Sequence, residues 1–144
     1  MLRTASKADF SALAALEAEW SVEPWSEGAF SSFAESLGAH TLVWEEEGNL
    51  CGYCTFRFAA DYGELFNVAV KEDCRRRGIA GNLLSAALSL ARESGVRSFT
   101  LEVRESNAGA RRLYESHGFE VCDRRKNFYK SPAEDALVYL WGKR

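Results

Sequence analysis

The chain has 144 residues, of which 47% are hydrophobic and 27% are charged. This composition excludes a disordered segment and favours one globular domain over residues 1–144. No apolar run approaches the roughly 18 residues that span a bilayer, and the N-terminus lacks a signal-peptide core. We therefore expect a cytoplasmic protein without membrane contact. The net charge of −3 argues against a surface that binds nucleic acid directly, and the oligomeric state is not indicated.

The first third of the sequence predicts one strand and two helices. Residues 2–6 form a short edge strand, and a helix follows over about 7–20, with Trp20 ending its apolar stripe. A second helix should start after the capping residue Ser26, with Leu37 as the last residue of its buried face.

Three strands should follow, at 40–46, 50–60 and 63–70. The last is apolar on both faces, which is typical of a central strand. Cys51 and Cys54 have a spacing that a redox or zinc site could use. Residues three apart in a strand point to opposite faces, so we predict reduced cysteines and no metal site.

The remaining sequence alternates between strands and helices. A long helix is predicted over 78–94, a strand over 98–103, a short helix capped by Asn107, and two strands over 119–129 and 135–141. The order β-α-α-β-β-β-α-β-α-β-β predicts a mixed α/β sheet with helices on both sides.

The sequence CRRRGIAGNLL, residues 74–84, joins the central strand to the long helix. A helix N-terminus offers free N–H groups and partial positive charge. Gly78, Ala80 and Gly81 would let a ligand approach the backbone closely. The stretch therefore predicts a phosphate or pyrophosphate cradle, although a solvated basic loop would share this composition. The Walker and dinucleotide-binding motifs are absent.

The R-x-x-G-x-A pattern of Arg75, Gly78 and Ala80 resembles the acetyl-coenzyme A loop of the GNAT N-acetyltransferases. Further segments resemble the ribosomal-protein-alanine N-acetyltransferase, or RimI, type of that family. They are PWSEGAF (24–30), LFNVAV (65–70), LEVRESNAGARRLYESHGF (101–119), RKNFY (125–129) and EDA (134–136). The resemblance implies the GNAT fold, a mostly antiparallel sheet of about seven strands with four helices on its two sides.

The resemblance also implies acetyl-CoA as co-substrate and a set of residues that hold it. The pyrophosphate would lie on the loop, the pantetheine would pair with the preceding strand, and an asparagine would contact the cofactor. These residues are Arg76, Arg77, Gly78, Ile79, Ala80 and Gly81 in the loop, Val68, Ala69 and Val70 in the strand, and Asn107. Relatives often have a basic residue at the position of Gly81, so Arg111 or Arg112 could supply a missing phosphate contact.

Glu102 and Tyr114 are the candidate catalytic residues. Glu102 lies on the polar face of a strand otherwise rich in apolar residues, where it could be a base or a salt-bridge partner of Arg104 or Arg57. Tyr114 could be an acid or a core aromatic residue, since a phenol with a pKa of about 10 is protonated at neutral pH. The resemblance implies that Glu102 accepts a proton and Tyr114 donates one. His117 is a rival acid.

Trp25 and Tyr129 lie in segments that flank the peptide groove of the RimI type, although Trp25 could instead be a core anchor between helices. The resemblance implies transfer to the N-terminal alanine of a small-subunit ribosomal protein. An α-amino group has a pKa of about 8 and a lysine about 10.4, so the first loses its proton more easily. The alternatives are a lysine or small-amine acetyltransferase, a non-catalytic CoA-binding module and an RNA-binding protein.

Overall fold

The computed structural model describes residues 1–143, which form a seven-stranded sheet with helices on both faces. The strands are β1 Leu2–Thr4, β2 Ala39–Glu46, β3 Asn49–Ala59, β4 Tyr62–Val70, β5 Ser98–Arg104, β6 Glu120–Lys130 and β7 Ala133–Gly142. The helices are α1 Phe10–Trp20, α2 Glu27–Glu35, α3 Ile79–Glu93 and α4 Ala108–Ser116. Short 3₁₀ turns at Lys7–Asp9 and Glu72–Cys74 precede α1 and α3. The predicted order of elements is confirmed.

The strands are arranged in the order β1-β2-β3-β4-β5-β7-β6. Only the β4–β5 pair is parallel among the pairs within residues 1–143, and the other five are antiparallel. β4 is the middle strand, as its apolar pattern predicts. This mixed, mostly antiparallel sheet confirms the predicted fold class.

The sheet separates two hydrophobic cores of unequal size. The larger core lies under α3 and α4 and includes Leu83, Leu84 and Tyr139. The smaller core lies on the opposite face, where Leu13 of α1 and Phe30 of α2 pack on Tyr53 of β3. On the side of the small core, α1 and α2 contact chiefly β2 and β3, whereas α3 contacts β2, β3 and β4 on the other side. The polar face of β5 consequently stays open.

A bulge in β4 opens the centre of the sheet. Thr55 of β3 pairs with Asn67, but the next residue, Phe56, pairs with Leu65, so Phe66 has no partner on β3. A bulge bends its strand and increases the local twist. β4 and β5 pair only over Tyr62–Glu64 and Ser98–Thr100. Beyond that point the two strands share no ladder.

Two predicted helix boundaries are wrong. α2 ends at Glu35 with Ser36 as its cap, so Leu37 lies beyond the helix and is 95% exposed. The end of α1 at Trp20 is as predicted, but Trp20 itself, predicted to lie on the apolar stripe, is 46% exposed. The long helix begins at Ile79, with Gly78 in the left-handed conformation just outside it.

The prediction that Cys51 and Cys54 face opposite sides is also wrong. Both belong to the large core. Trp44 pairs with Gly52 and Glu45 pairs with Leu50, so Cys51 is the extra residue of a β-bulge. A bulge interrupts the alternation of side chains, which brings Cys51 to the same side as Cys54. Both thiols are free, and burial raises the pKa of Cys51 to about 11.

Candidate active site

A cleft of about 240 Å³ opens where β4 and β5 separate. Its walls come from four strands on the uncovered face of the sheet. They are Glu64, Leu65 and Phe66 of β4, Thr100, Leu101 and Glu102 of β5, Arg125, Phe128 and Tyr129 of β6, and Val138 of β7. The cleft thus contains two carboxylates, a guanidinium and three aromatic rings, a lining suited to an extended polar chain with one anchored end.

The open edge of β4 presents backbone groups beside this cleft. The Lys71 N–H donates to the Cys51 carbonyl of β3 at 2.7 Å. Backbone groups alternate along a strand, so the N–H groups of Val70 and Val68 point away from β3, toward the gap. An extended ligand could pair with this edge as an added strand does.

The loop before α3 concentrates N–H groups that have no acceptor. Arg76 and Gly78 both have positive φ, 65° and 76°, which turns the chain sharply into the helix. Within residues 1–143, the N–H groups of 76–81 donate to no backbone carbonyl. Free N–H groups at a helix N-terminus are the kind of donors that an anion site requires.

The three arginines of this loop have different surroundings. Arg75 donates through Nε to the carbonyl of Val70 at 3.2 Å, so it braces the end of β4. Arg77 forms an ion pair with Glu46 of β2 at 3.0 Å. Neither Arg75 nor Arg76 forms an ion pair with a residue in 1–143, and Arg76 forms no side-chain hydrogen bond there either, so its charge remains available to a ligand.

Gly81 lies where α3 faces α4. A Cβ at this position would lie 3.6 Å from the ring of His117, whereas a Cβ at Gly78 would meet nothing within 4 Å. Gly78 therefore faces the open side of the loop, and Gly81 faces α4. His117 contacts the Leu113 carbonyl at 2.9 Å and the Ser85 hydroxyl at 3.2 Å. These contacts make it a link between α3 and α4 and argue against its role as the acid.

Asn107 and Arg111 lie at the start of α4. Asn107 Oδ1 accepts from the Ala110 N–H at 3.1 Å, as the predicted cap does, and the amide nitrogen remains a potential donor. Arg111 donates to the Tyr139 hydroxyl at 2.9 Å and to the Glu105 carbonyl at 3.1 Å. The Arg111 guanidinium is therefore already hydrogen-bonded within the protein. Arg112, in contrast, is exposed.

Glu102 lies on the open face of β5, as its alternation predicts, and its side chain is 32% exposed. Its salt-bridge partner is Arg125 of β6, at 2.9 Å, rather than Arg104 or Arg57. Arg125 is more than half exposed, so this pair can open at little cost. Glu102 is consequently placed in the cleft wall with a partner that solvent or ligand can displace.

Tyr114 of α4 is buried in the large core and does not line the cleft, and its ring packs against Phe119 and Tyr139. Burial first, and then the nearby Tyr129 and Cys54, raise the pKa of its phenol well above the usual value. The tyrosine hydroxyls that form hydrogen bonds within residues 1–143 belong to Tyr53 and Tyr139. Tyr114 therefore carries a protonated, uncommitted hydroxyl.

Tyr129 of β6 lines the cleft and lies near both Glu102 and Tyr114. Burial and the charge of Glu102 both raise the pKa of its phenol. The guanidinium of Arg104 lies over its ring, 4.3 Å from the centroid, and is fixed in turn by Glu134 at 3.3 Å. The ring is therefore held rigidly against the cleft by a cation–π contact.

Trp25 lies on the other side of the cleft in an aromatic cluster with three phenylalanines. Its ring centroid is 5.2 Å from those of Phe30 and Phe33, and 6.4 Å from that of Phe66. Phe30 is fully buried, whereas Phe66 lines the cleft. Trp25 thus connects the small core to the cleft wall without lining the cleft itself.

The sequence predictions omitted Arg125, Phe128 and Phe66 from the site. Arg125 and Phe128 reach the cleft because residues 126–128 bulge out of the β6–β7 ladder. The motif RKNFY contains both residues, but a basic, aromatic edge strand gives no local sign of which side chains turn inward.

Comparison with known proteins places this geometry in a family. Residues 10–119 match the Acetyltransferase (GNAT) family. The ribosomal protein bS18-alanine N-acetyltransferase of Haemophilus ducreyi is 33% identical, with coverage of 96% of this chain and 97% of the relative. The Escherichia coli protein of the same name is 35% identical over 80% of this chain and 78% of its own length.

A solved structure extends this likeness to three dimensions. The crystal structure of the Escherichia coli ribosomal-protein-S18-alanine N-acetyltransferase superposes with a TM-score of 0.91 at 30% identity, covering 99% of this chain and 92% of that one.

Within residues 1–143, no helix is long and apolar enough to cross a membrane. No cluster of three or more potential metal ligands occurs in the same part of the chain.

Proposed function

The chain belongs to the GNAT acetyltransferase family and is an acetyl-CoA-dependent N-acetyltransferase, and we propose that its acceptor is the N-terminal alanine of ribosomal protein bS18. One observation carries the proposal. A cleft that contains Glu102 and Tyr129 opens where β4 and β5 stop pairing, and β4 continues past it to a loop of free N–H groups.

The donor side of this arrangement fits acetyl-CoA. The six free N–H groups of residues 76–81, with the charge of Arg76, suit a pyrophosphate. The open edge of Val68–Val70 suits the amides of pantetheine, and the Asn107 amide can donate a further hydrogen bond. Acetyl-CoA supplies the activated acetyl group, and a backbone N–H near Val70 would stabilise the thioester oxygen as it gains charge.

The acceptor side supplies the proton transfers. Glu102 would accept a proton from the α-amine, directly or through water, once Arg125 has moved aside. Tyr114 would donate its proton to the departing thiolate, because a phenol is protonated at neutral pH. Transfer would be direct, since the core cysteines Cys51, Cys54 and Cys74 are buried outside the cleft.

The proposed acceptor has a small first residue. An alanine side chain would obstruct the approach of its own amine to Glu102 less than a leucine side chain would. Trp25 on one side and Tyr129 on the other would hold the extended tail. The names of the two relatives agree with this choice of substrate.

An acetyl-transfer assay with a panel of acceptors tests the proposal. The panel contains peptides that differ only in a first residue of alanine or leucine, an N-terminally blocked peptide with an internal lysine, and a polyamine. We expect the alanine peptide to have the highest kcat/KM. Equal rates for the alanine and leucine peptides would contradict the substrate assignment. Preferred transfer to the lysine or the polyamine would instead support acetylation of side-chain or small-molecule amines.

A further inference from the structure

Glu17 is a buried carboxylate that the proposed reaction does not use. It lies on α1 and is 1% exposed, among the largest fully buried side chains of the described residues. A carboxylate is almost never buried so completely unless it is paired, because removing its charge from water is costly. Its surroundings must therefore supply strong hydrogen-bond donors.

Both oxygens of Glu17 accept a hydrogen bond. Oε1 accepts from the Tyr53 hydroxyl at 2.6 Å, and Oε2 accepts from the backbone N–H of Trp25. Tyr53 in turn accepts from Nε1 of Trp20 at 3.2 Å. Burial raises the pKa of Tyr53 far above its usual value, which keeps its phenol a donor. The carboxylate thus joins α1, β3 and the turn before α2.

The hydrogen bond between Glu17 and the Trp25 N–H matters because Trp25 lies in the turn between α1 and α2. Residues 21–26 connect α1 to α2 and form no regular structure of their own. Trp25 packs against Phe66, the bulged residue of β4 that lines the cleft. Glu17 itself does not line the cleft. The bond from Glu17 therefore acts on the cleft through the position of Trp25.

We propose that Glu17 is a positioning residue that sets the affinity for the acceptor. Its buried carboxylate fixes the α1–α2 turn, so that Trp25 and Phe66 form a preorganised wall on the acceptor side of the cleft. The inference rests on the proposed function in taking this side as the acceptor site. The acetyl-CoA loop lies at the far end of β4, so Glu17 should act on one substrate and leave the other unaffected.

The test compares Glu17→Gln with Glu19→Gln, which lies on the exposed face of the same helix. Gln has the same shape, but its amide nitrogen cannot accept a hydrogen bond from the Tyr53 hydroxyl or from the Trp25 N–H. Its neutral oxygen is also a weaker acceptor than a carboxylate oxygen. We expect Glu17→Gln to raise the acceptor KM about tenfold, since bonds to charged groups are among the stronger ones. The acetyl-CoA KM and kcat should stay within about twofold of wild type. Glu19→Gln should match wild type.

A second variant and a second measurement separate positioning from general damage. Tyr53→Phe removes the bond to Oε1 but keeps the bond to the Trp25 N–H, so its acceptor KM should rise less than in Glu17→Gln. Hydrogen exchange followed by NMR should show faster exchange at the Trp25 amide in Glu17→Gln and unchanged protection in β3 and β4. Equal increases in both KM values, or an unchanged acceptor KM with a faster Trp25 amide, would overturn the proposal.

The kinetics use whichever acceptor the wild-type enzyme acetylates fastest. Preference for a lysine or polyamine would refute the ribosomal substrate, while the ratio of acceptor KM values between Glu17→Gln and Glu19→Gln would still decide the role of Glu17. The two proposals can therefore fail independently.

Discussion

Tyr114 combines a buried ring with a hydroxyl that forms no bond to a residue in 1–143. Tyr114→Phe deletes only this hydroxyl and keeps the packing against Phe119 and Tyr139. If the phenol protonates the leaving thiolate, kcat should fall by about 10²–10⁴-fold. Steady-state kinetics at saturating acetyl-CoA measures the change. Tyr62→Phe, at an exposed site, is the control, and wild-type turnover in both would leave Tyr114 as a core aromatic residue.

Glu102 is tested by the pH dependence of its isosteric variant. An α-amine with a pKa of about 8 is mostly protonated at pH 7, where a base must remove the proton, and mostly neutral at pH 9. Glu102→Gln cannot accept that proton, so its kcat/KM should fall most below pH 7.5 and approach wild type at high pH. Glu105→Gln is the control, because it removes a nearby carboxylate that pairs with Arg124 outside the cleft. The assignment would be refuted by a Glu102→Gln profile parallel to that of wild type.

At the scale of an element, α3 provides a matched pair of glycines. Gly78 before the helix and Gly95 after it have φ of 76° and 78°, and a Cβ at either would meet nothing within 4 Å. Valine is strained at both positions, because β-branched residues avoid positive φ. Both variants should therefore lose similar stability, but only Gly78→Val places a side chain in the anion loop.

Calorimetric titration with acetyl-CoA distinguishes these two variants. We expect Gly78→Val to bind at least about tenfold more weakly than wild type, because the side chain blocks access to the free N–H groups. Gly95→Val should bind normally. Equal affinities in the two variants would show that the loop does not hold the pyrophosphate.

At the scale of the whole molecule, an ion-pair group fastens the N-terminal strand to the rest of the sheet. Arg3 of β1 contacts Asp9 at 2.8 Å and Glu45 of β2 at 2.8 Å. The hydrogen bond from Arg3, followed by the one from the Ser6 N–H, lowers the pKa of the Asp9 carboxyl from 3.8 to about 2 despite its burial. The charged form of Asp9 therefore stabilises the folded state.

The contribution of Asp9 should depend on pH in a defined window. A carboxyl whose pKa is lower in the folded state stabilises the fold above its unfolded pKa, and this stability is lost as the pH falls through the folded pKa. Asp9→Asn should lower the free energy of unfolding by about 2 kcal/mol at pH 7. The difference from wild type should shrink between pH 5 and about pH 2. Urea unfolding at several pH values measures it, and a constant difference would contradict the linkage.

Local features of the sequence sufficed for much of the fold. The apolar periodicities gave the order of all the helices and strands, since each is set by neighbours a few residues apart. The ends of the helices were predicted less accurately than their order. Leu37 continued the pattern of α2, yet the chain leaves the helix two residues earlier because Ser36 caps it.

The sequence by itself determined the glycine- and arginine-rich connection before α3, the family resemblance and the face on which Glu102 lies. These depend on residues adjacent in the chain, such as the glycines and arginines of 75–81, or on strict alternation within one strand. The tertiary structure alone decided that Arg125 is the partner of Glu102, that Phe66 opens the cleft and that Glu17 binds the Trp25 N–H. The physical reason is that bulges and cross-strand register depend on how distant segments pair, and no local pattern encodes that pairing.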